Sequence, residues 1–290
     1  MGNGTPNDRR TWQPLVTALV PTYNGAAFID RTLDSLAAQT WPHLEILIGD
    51  DRSTDDTLDV VRRFALGRPN VRIVERDVNL GWLRNSNDLM AGADGELMFF
   101  AFHDDVVAPT YVERLVGALR TNDRAVLAFS DMHVHELDGT EHLHAFDELE
   151  GLSSAVDRGR VMVRRPENWW VPNRGLFRTS GFVDVGGIHP NEQGEFSADW
   201  TWLLGLALVG EFVRVPEALC TKYYMAGSLS KRWPHDATQV QALRRSGIAE
   251  IRRSGLSPAR KAALSGFLWR RVYGSRLPDS VKGVFRGLGW

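Results

Sequence analysis

Three polar pairs in this 290-residue chain, each closing an apolar run, are the first candidates for chemistry. Tyr23-Asn24 follows Val16-Thr17-Ala18-Leu19-Val20-Pro21, Asp50-Asp51 follows Leu44 to Gly49, and Asp104-Asp105 follows Leu97 to Phe102 and His103. Paired carboxylates offer the hard oxygens that a divalent cation prefers. A single carboxylate only accepts hydrogen bonds, so it can select a ligand presenting an N–H, or it can take a proton as a general base. Taken alone, such a pair after a strand reads more readily as a solvated turn that caps the next helix. A fourth acid, Asp199, opens the apolar run through Leu208, a place where the helix dipole favours a negative charge.

The elements that must position these groups follow from periodicity. The runs at 16–21, 44–49, 71–74, 97–102 and 125–130 have strand length and composition. Between them Phe28, Ile29, Leu33 and Leu36 recur with helical period, as do Leu58, Val61 and Phe64, then Leu83 and Met90. Ser53 or Thr54 is expected to cap the second helix, with Asp56 placed to complete a capping box with Ser53, and Pro109 suits the first turn of the fourth. Strands alternating with helices imply right-handed crossovers and a mostly parallel sheet. Parallel strands bring the three polar pairs to one edge, where open α/β sheets bind ligands. Three polar endings at one edge favour a ligand site over three separate capping accidents.

Composition narrows the function classes. A net charge of −2 gives no reason to expect nucleic-acid binding, but the charge is uneven: from Lys231 onward there are 13 Lys and Arg against 3 Asp and Glu, and 21 against 33 upstream. A basic end on an acidic body suggests that the end meets something anionic. Cys220 is the only cysteine, so no intrachain disulfide forms. The first twenty residues lack the apolar segment of a signal peptide, and no run of eighteen apolar residues exists. A cytoplasmic protein is expected. His133, His135, His142 and His144 flank the turn Asp138-Gly139 without zinc-site spacing, so a polar hairpin is expected there. Trp169-Trp170 suits core cover and a sugar-binding face equally. Glu211 to Val215 and Ala218 to Tyr224 read as two strands, and the chain past Lys231 as two or three basic helices.

The residues 20–24 (Val-Pro-Thr-Tyr-Asn), 39–42 (Gln-Thr-Trp-Pro), 45–57, Asn79-Leu80-Gly81 and His103-Asp104-Asp105 together resemble the family 2 glycosyltransferases. The resemblance is dense to about residue 115 and sparse from there to 230. It implies the GT-A fold, an α/β architecture with a mostly parallel Rossmann-like sheet flanked by helices, and transfer of sugar from a nucleotide diphosphate sugar with inversion. It places Pro21, Tyr23, Asp51, Asn79, Gly81, Asn87 and Asp104 around the donor. Tyr23 would pack near the base, Asp51 would accept from its imide N–H, and Asp104 would face the ribose. Asp105 would hold Mg2+ or Mn2+ against the diphosphate. Asp199, in Ser197-Ala198-Asp199-Trp200, would be the catalytic base. His103 stands where the family's metal motif has its first acid, and Ala198 where an acid is common. The Gln-x-x-Arg-Trp element of processive synthases is absent, which implies transfer of one sugar.

The implied organisation is a disordered leader at 1–14, a glycosyltransferase domain at 15–230 and a basic helical extension at 231–290. Within the domain, 15–130 would bind the nucleotide sugar, UDP or dTDP being favoured by Asp51, and 131–230 would bind the acceptor. The acceptor would be a hydroxyl of a saccharide or lipid-linked saccharide, in bacterial-type polysaccharide, glycolipid or glycoconjugate biosynthesis. The basic helices are candidates for peripheral contact with the inner face of the membrane. Two rivals remain at this point: a sugar-phosphate nucleotidyltransferase, disfavoured because the loop 21–26 carries no basic residue, and a nucleotide-sugar binding module without turnover.

Overall fold

The computed structural model describes residues 12–165, 167–225 and 236–273, the side chains of 271–273 excepted. β1 (Val16–Thr22), β2 (Leu44–Asp50) and β4 (Leu97–Phe100) are buried along their whole length. Such unbroken burial is what near-continuous Val, Ile, Leu and Phe produce in a parallel sheet covered on both faces. β1 lies between the other two, with Thr22 opposite Asp50 and Leu19 opposite Phe100. β3 (Val71–Glu75) extends the parallel set beyond β2. The crossovers are α1 (Ile29–Ala37), α2 (Thr57–Ala65) and α3 (Trp82–Gly92). Each buries one stripe, Ile29, Leu33 and Leu36 in α1 for example, at the i, i+4, i+7 spacing of an amphipathic helix.

After β4 come β5 (Asp105–Val107), α4 (Tyr111–Thr121), β6 (Ala125–His135) and β7 (Glu141–His144). Next are α5 (Ala155–Arg164), a 3-10 turn (Val171–Arg174), β8 (Leu176–Arg178), α6 (Thr179–Val185), α7 (Ala198–Val209) and β9 (Glu211–Tyr223). The sheet order is β3-β2-β1-β4-β8-β6-β9-β5, with β7 hairpinned onto β6. β8 runs antiparallel to β4 and β6, and β5 antiparallel to β9, with Asp105 opposite Lys222. The five steps from Phe100 to Asp105 reach at most about 18 Å. Four flat strand spacings would need about 19 Å, and a turn bond from Asp105 N–H to Phe102 O shortens the reach further. The sheet therefore curls, and the curl carries Lys222 on β9 to the acids that follow β4.

Several expectations change. Residues 12–14 are not part of a disordered leader: Trp12 packs on the core beneath the Arg178 guanidinium, 5.2 Å from its ring, and Pro14 O accepts from the Trp41 indole at 3.2 Å. Residues 1–11 lie outside the described residues. Ser53 does not cap α2, because its Oγ accepts from Asn24 N–H; Asp55 instead accepts from both the backbone and hydroxyl of Thr57. Glu211 to Tyr223 is one strand, its irregularity absorbed by register shifts against β6 near Ser130 and Asp131. α5 was not expected, since Asp157, Arg158, Arg160 and Arg164 mask its buried Met162 and Val163. The histidine hairpin is present, with Val134 opposite His142. Among the described residues no group of three metal-ligating side chains forms there or elsewhere.

The basic extension supplies α8 (Ala237–Arg253) and α9 (Pro258–Tyr273), and both join the main core. Leu243, Ile251, Leu264 and Leu268 are buried in it. Gly247 lets α8 close on Trp200, since a Cβ there would stand 2.6 Å from the indole ring. Residues 274–290, with the remaining basic and aromatic positions, lie outside the described residues. Among those described, no helix is long and apolar enough to cross a membrane.

Candidate active site at the curled edge

The loops after β1 and β2 are zipped together. Asp51 N–H donates to Thr22 O at 2.9 Å, Thr54 N–H to Asn24 Oδ1 at 2.8 Å, and Gly25 N–H to Thr57 Oγ1 at 2.8 Å. Asn24 adopts a left-handed φ of 50°, which Asn tolerates better than most residues. Gly25 lets His103 approach, as a Cβ there would lie 3.2 Å from its ring. Parallel pairing thus gathers the three polar pairs at one edge, and Tyr23 stands at its mouth, 45% exposed.

Asp51 is not the free carboxylate expected at the strand end. It is 3% exposed, and its two oxygens accept from Leu80 N–H at 2.7 Å and Gly81 N–H at 2.9 Å. Asn79 Nδ2 donates to Asp51 O at 3.1 Å, so Asp51 and Asn79 together shape the loop entering α3. Gly81 takes φ 83° there, with the Glu195 carboxylate where its Cβ would be. Glu195, missed by the sequence reading, accepts from Leu83 N–H at 3.1 Å and so caps α3, a favourable place for an anion. Burial and then the charge of Asp51 push its carboxyl up, although backbone bonds oppose this. Asn87 is likewise occupied: its amide exchanges two 2.8 Å hydrogen bonds with the backbone of Ile188, pinning α3 to that turn.

Asp104 and Asp105 differ sharply. Asp105 is not an edge carboxylate; its side chain is 2% exposed and its Oδ2 accepts from Arg174 Nε at 2.9 Å. α1 fixes its backbone, Thr32 Oγ1 donating to Asp105 O at 2.7 Å. Asp104 keeps 14% of its side chain exposed and accepts from Lys222 Nζ at 3.0 Å. Burial alone would raise the Asp104 carboxyl, but Lys222, Arg174 and His103 outweigh it and hold the group below the usual range. Arg174 itself lies against Phe102, 4.7 Å from the ring, and near Trp170 at 6.0 Å. Tyr111 donates its hydroxyl to Arg174 O. Neither cation was anticipated from the sequence.

Asp199 reaches the same cluster from the start of α7, where Ser197 takes φ 46°. Burial raises its carboxyl, opposed first by Arg174 and then by Arg165. Its ionisation is therefore governed by burial against two guanidiniums, not by the helix dipole alone. Arg165 is held over Trp169 at 4.9 Å and Trp200 at 5.6 Å. Trp169 and Trp170, half-buried, thus lie against the two arginines whose charges act on Asp199.

A divalent cation fits this site only in part. Asp105 is 2% exposed with one of its oxygens bonded to Arg174, whereas Asp104 is partly exposed and held by one ammonium. Mg2+ and Mn2+ are commonly bound by one or two carboxylates, the remaining positions going to substrate phosphates and water. The fit therefore falls on Asp104 rather than on Asp105, because of burial.

The curled, mostly parallel sheet with helices on both faces is the GT-A fold. It superposes on the structure of S. aureus TarS 1-349 in complex with UDP-GlcNAc with a TM-score of 0.69, at 19% identity over 89% of this chain and 72% of that one. A second likeness is the mannosyltransferase PcManGT from Pyrobaculum calidifontis in complex with GDP-Man and Mn2+, with a TM-score of 0.59 and 20% identity over 91% and 70% of the two chains. The model of glycosyl transferase family 2 matches residues 17–181, and the chain belongs to that family. Relatives include an uncharacterised glycosyltransferase of Haemophilus influenzae, 31% identical over 38% of this chain. Another is the putative teichuronic acid biosynthesis glycosyltransferase TuaG of Bacillus subtilis, 28% identical over 48% of this chain. The matched parts span 34% and 56% of those two relatives.

Proposed function

We propose that this glycosyltransferase moves a single sugar from a nucleotide diphosphate sugar to a hydroxyl of a saccharide or lipid-linked saccharide, with inversion, in polysaccharide or glycoconjugate synthesis. The observation that carries the reading is Arg174: it is bonded to Asp105 on the donor side of the edge and is the leading cation acting on Asp199. One guanidinium thus binds a donor-side acid and acts through its charge on an acid contributed by a distant helix. Asp199 takes the acceptor's proton as its oxygen attacks the anomeric carbon. The bond from that carbon to the diphosphate breaks on the opposite side, and the diphosphate leaves with the electron pair. A carboxyl raised by burial is the stronger base, which suits this step.

Mg2+ or Mn2+ would be held by Asp104 together with the donor phosphates, and when bound it supplies Lewis-acid neutralisation of the leaving group. A uridine or thymidine donor is supported by the likeness to TarS, whose complex contains UDP-GlcNAc. It no longer rests on a free Asp51 carboxylate. Tyr23 remains the residue offered to the base. Peripheral contact of the basic helices with an anionic membrane stands as a lesser proposal, because the described apolar residues of α8 and α9 largely face the core. Release of UDP or GDP from the corresponding sugar nucleotides, with and without a saccharide acceptor, tests the main reading. A pure binding module would bind nucleotide and release none.

A further inference from the structure

Of the two cations that neutralise the Asp104–Asp105 pair, only one is built to stay. Arg174 is planar, bonded to Asp105, and stacked near Phe102 and Trp170. Lys222 is a compact ammonium on a flexible stem with three donors. Its Nζ lies 3.0 Å from Asp104 Oδ2 and 3.9 Å from Asp105 Oδ1, a buried oxygen with no hydrogen-bond partner among the described residues. The ring of Tyr224 lies 5.0 Å from the same ammonium. Lys222 is therefore held strongly by one oxygen and loosely by everything else, and that oxygen belongs to the acid best placed to meet a donor.

We propose that Lys222 is a diphosphate-binding residue parked on Asp104 in the free protein. Resting on the donor reading above, the inference is that a diphosphate draws the ammonium from Asp104 Oδ2 to a phosphate oxygen. A divalent cation arriving at Asp104 drives the same transfer, because two cations cannot share one carboxylate oxygen at contact distance without strong repulsion. The lysine thus gives the site a metal-free grip on the diphosphate, and it also competes with metal for Asp104 until the donor arrives.

The test measures binding to the full chain. UDP is titrated calorimetrically in EDTA and again with Mn2+, and Mn2+ alone is titrated by electron paramagnetic resonance, for the wild type, Lys222→Met, Lys222→Arg and Asp104→Asn. Lys222→Met is expected to weaken metal-free UDP binding about tenfold, the worth of one charge-assisted hydrogen bond. It should also tighten Mn2+ alone about threefold or more, as the competing charge is gone. Lys222→Arg should keep most of the metal-free affinity. Asp104→Asn should lose Mn2+ yet bind metal-free inorganic diphosphate, titrated in the same way, at least as well as the wild type, its lysine having been released. If Lys222→Met fails to fold, as its melting curve would reveal, the arginine and Asp104→Asn variants decide the matter. Unchanged metal-free UDP affinity in Lys222→Met, or a loss of metal-free affinity for inorganic diphosphate in Asp104→Asn, overturns the lysine's role alone. Failure of the wild type to bind UDP, dTDP or GDP under any of these conditions overturns the donor reading with it.

Discussion

Arg174 Nε donates to Asp105 Oδ2 at 2.9 Å across 69 residues of chain, and both side chains are largely withdrawn from water. The bond ties the turn after β4 to the end of the 3-10 turn and so holds the two halves of the site in register. Removing one partner of such a pair leaves the other charge buried, which commonly costs about 3–5 kcal/mol.

Arg174→Met is accordingly expected to destabilise the protein by about 3–5 kcal/mol, and Asp105→Ala comparably, measured by urea unfolding. A loss below about 1 kcal/mol would be the behaviour of a surface pair and would contradict the buried arrangement.

Asp51 is expected to act through the loop it holds. Asp51→Ala strips Leu80 and Gly81 N–H of their acceptor, at about 1–3 kcal/mol of stability for the orphaned donors. It should weaken UDP and GDP alike, because the carboxylate shapes the site without reading the base. A variant that binds UDP worse and GDP unchanged would return the base-reading role to Asp51.

The acid limb of the kcat–pH profile should lie above the ordinary aspartate value of 3.8, because burial raises Asp199. The sign is that of a base: activity falls as pH drops through the raised value, where the carboxylate becomes protonated. Stability moves the other way. A carboxyl raised in the fold contributes most below its unfolded value, and that contribution is lost as pH rises through the folded one. Asp199→Asn should therefore gain a stability advantage over the wild type that grows with pH, absent near pH 3 and present near neutrality, read from melting temperatures of both proteins.

Much of this was legible in sequence because the relevant rules are local. Continuous apolar runs ending in Tyr23-Asn24, Asp50-Asp51 and Asp104-Asp105 fix strands whose parallel pairing puts those ends together. The partners of those acids were not legible. Arg174 sits in an irregular segment with no period to place it, and Glu195 in a turn. Lys222 did leave a trace: it is a lysine within the otherwise apolar and uncharged stretch Ala218 to Tyr224, where only an ion pair makes burial tolerable. The backbone bonds held by Asp51 and Asn87 were hidden for one reason. Sequence names an acceptor or an amide, but whether a backbone N–H already occupies it is settled by loops folded from far along the chain.

The nucleotide choice is tested by thermal shift with UDP, dTDP, GDP and CDP, each with and without Mn2+. Saturation a hundredfold above Kd stabilises by about 2.7 kcal/mol. UDP and dTDP should shift the melting temperature most; a larger shift with GDP or CDP would contradict the uridine-type donor.

The central claim is that Asp199, delivered by α7 to the Arg174 cluster, is the base. Asp199→Asn keeps the shape of the side chain and cannot accept a proton. Turnover of the sugar nucleotide in the presence of acceptor should fall by about 10² to 10⁴-fold, with the donor Kd and the melting temperature at neutral pH not reduced. Turnover within a few-fold of the wild type in a folded, donor-binding Asp199→Asn protein would contradict the account.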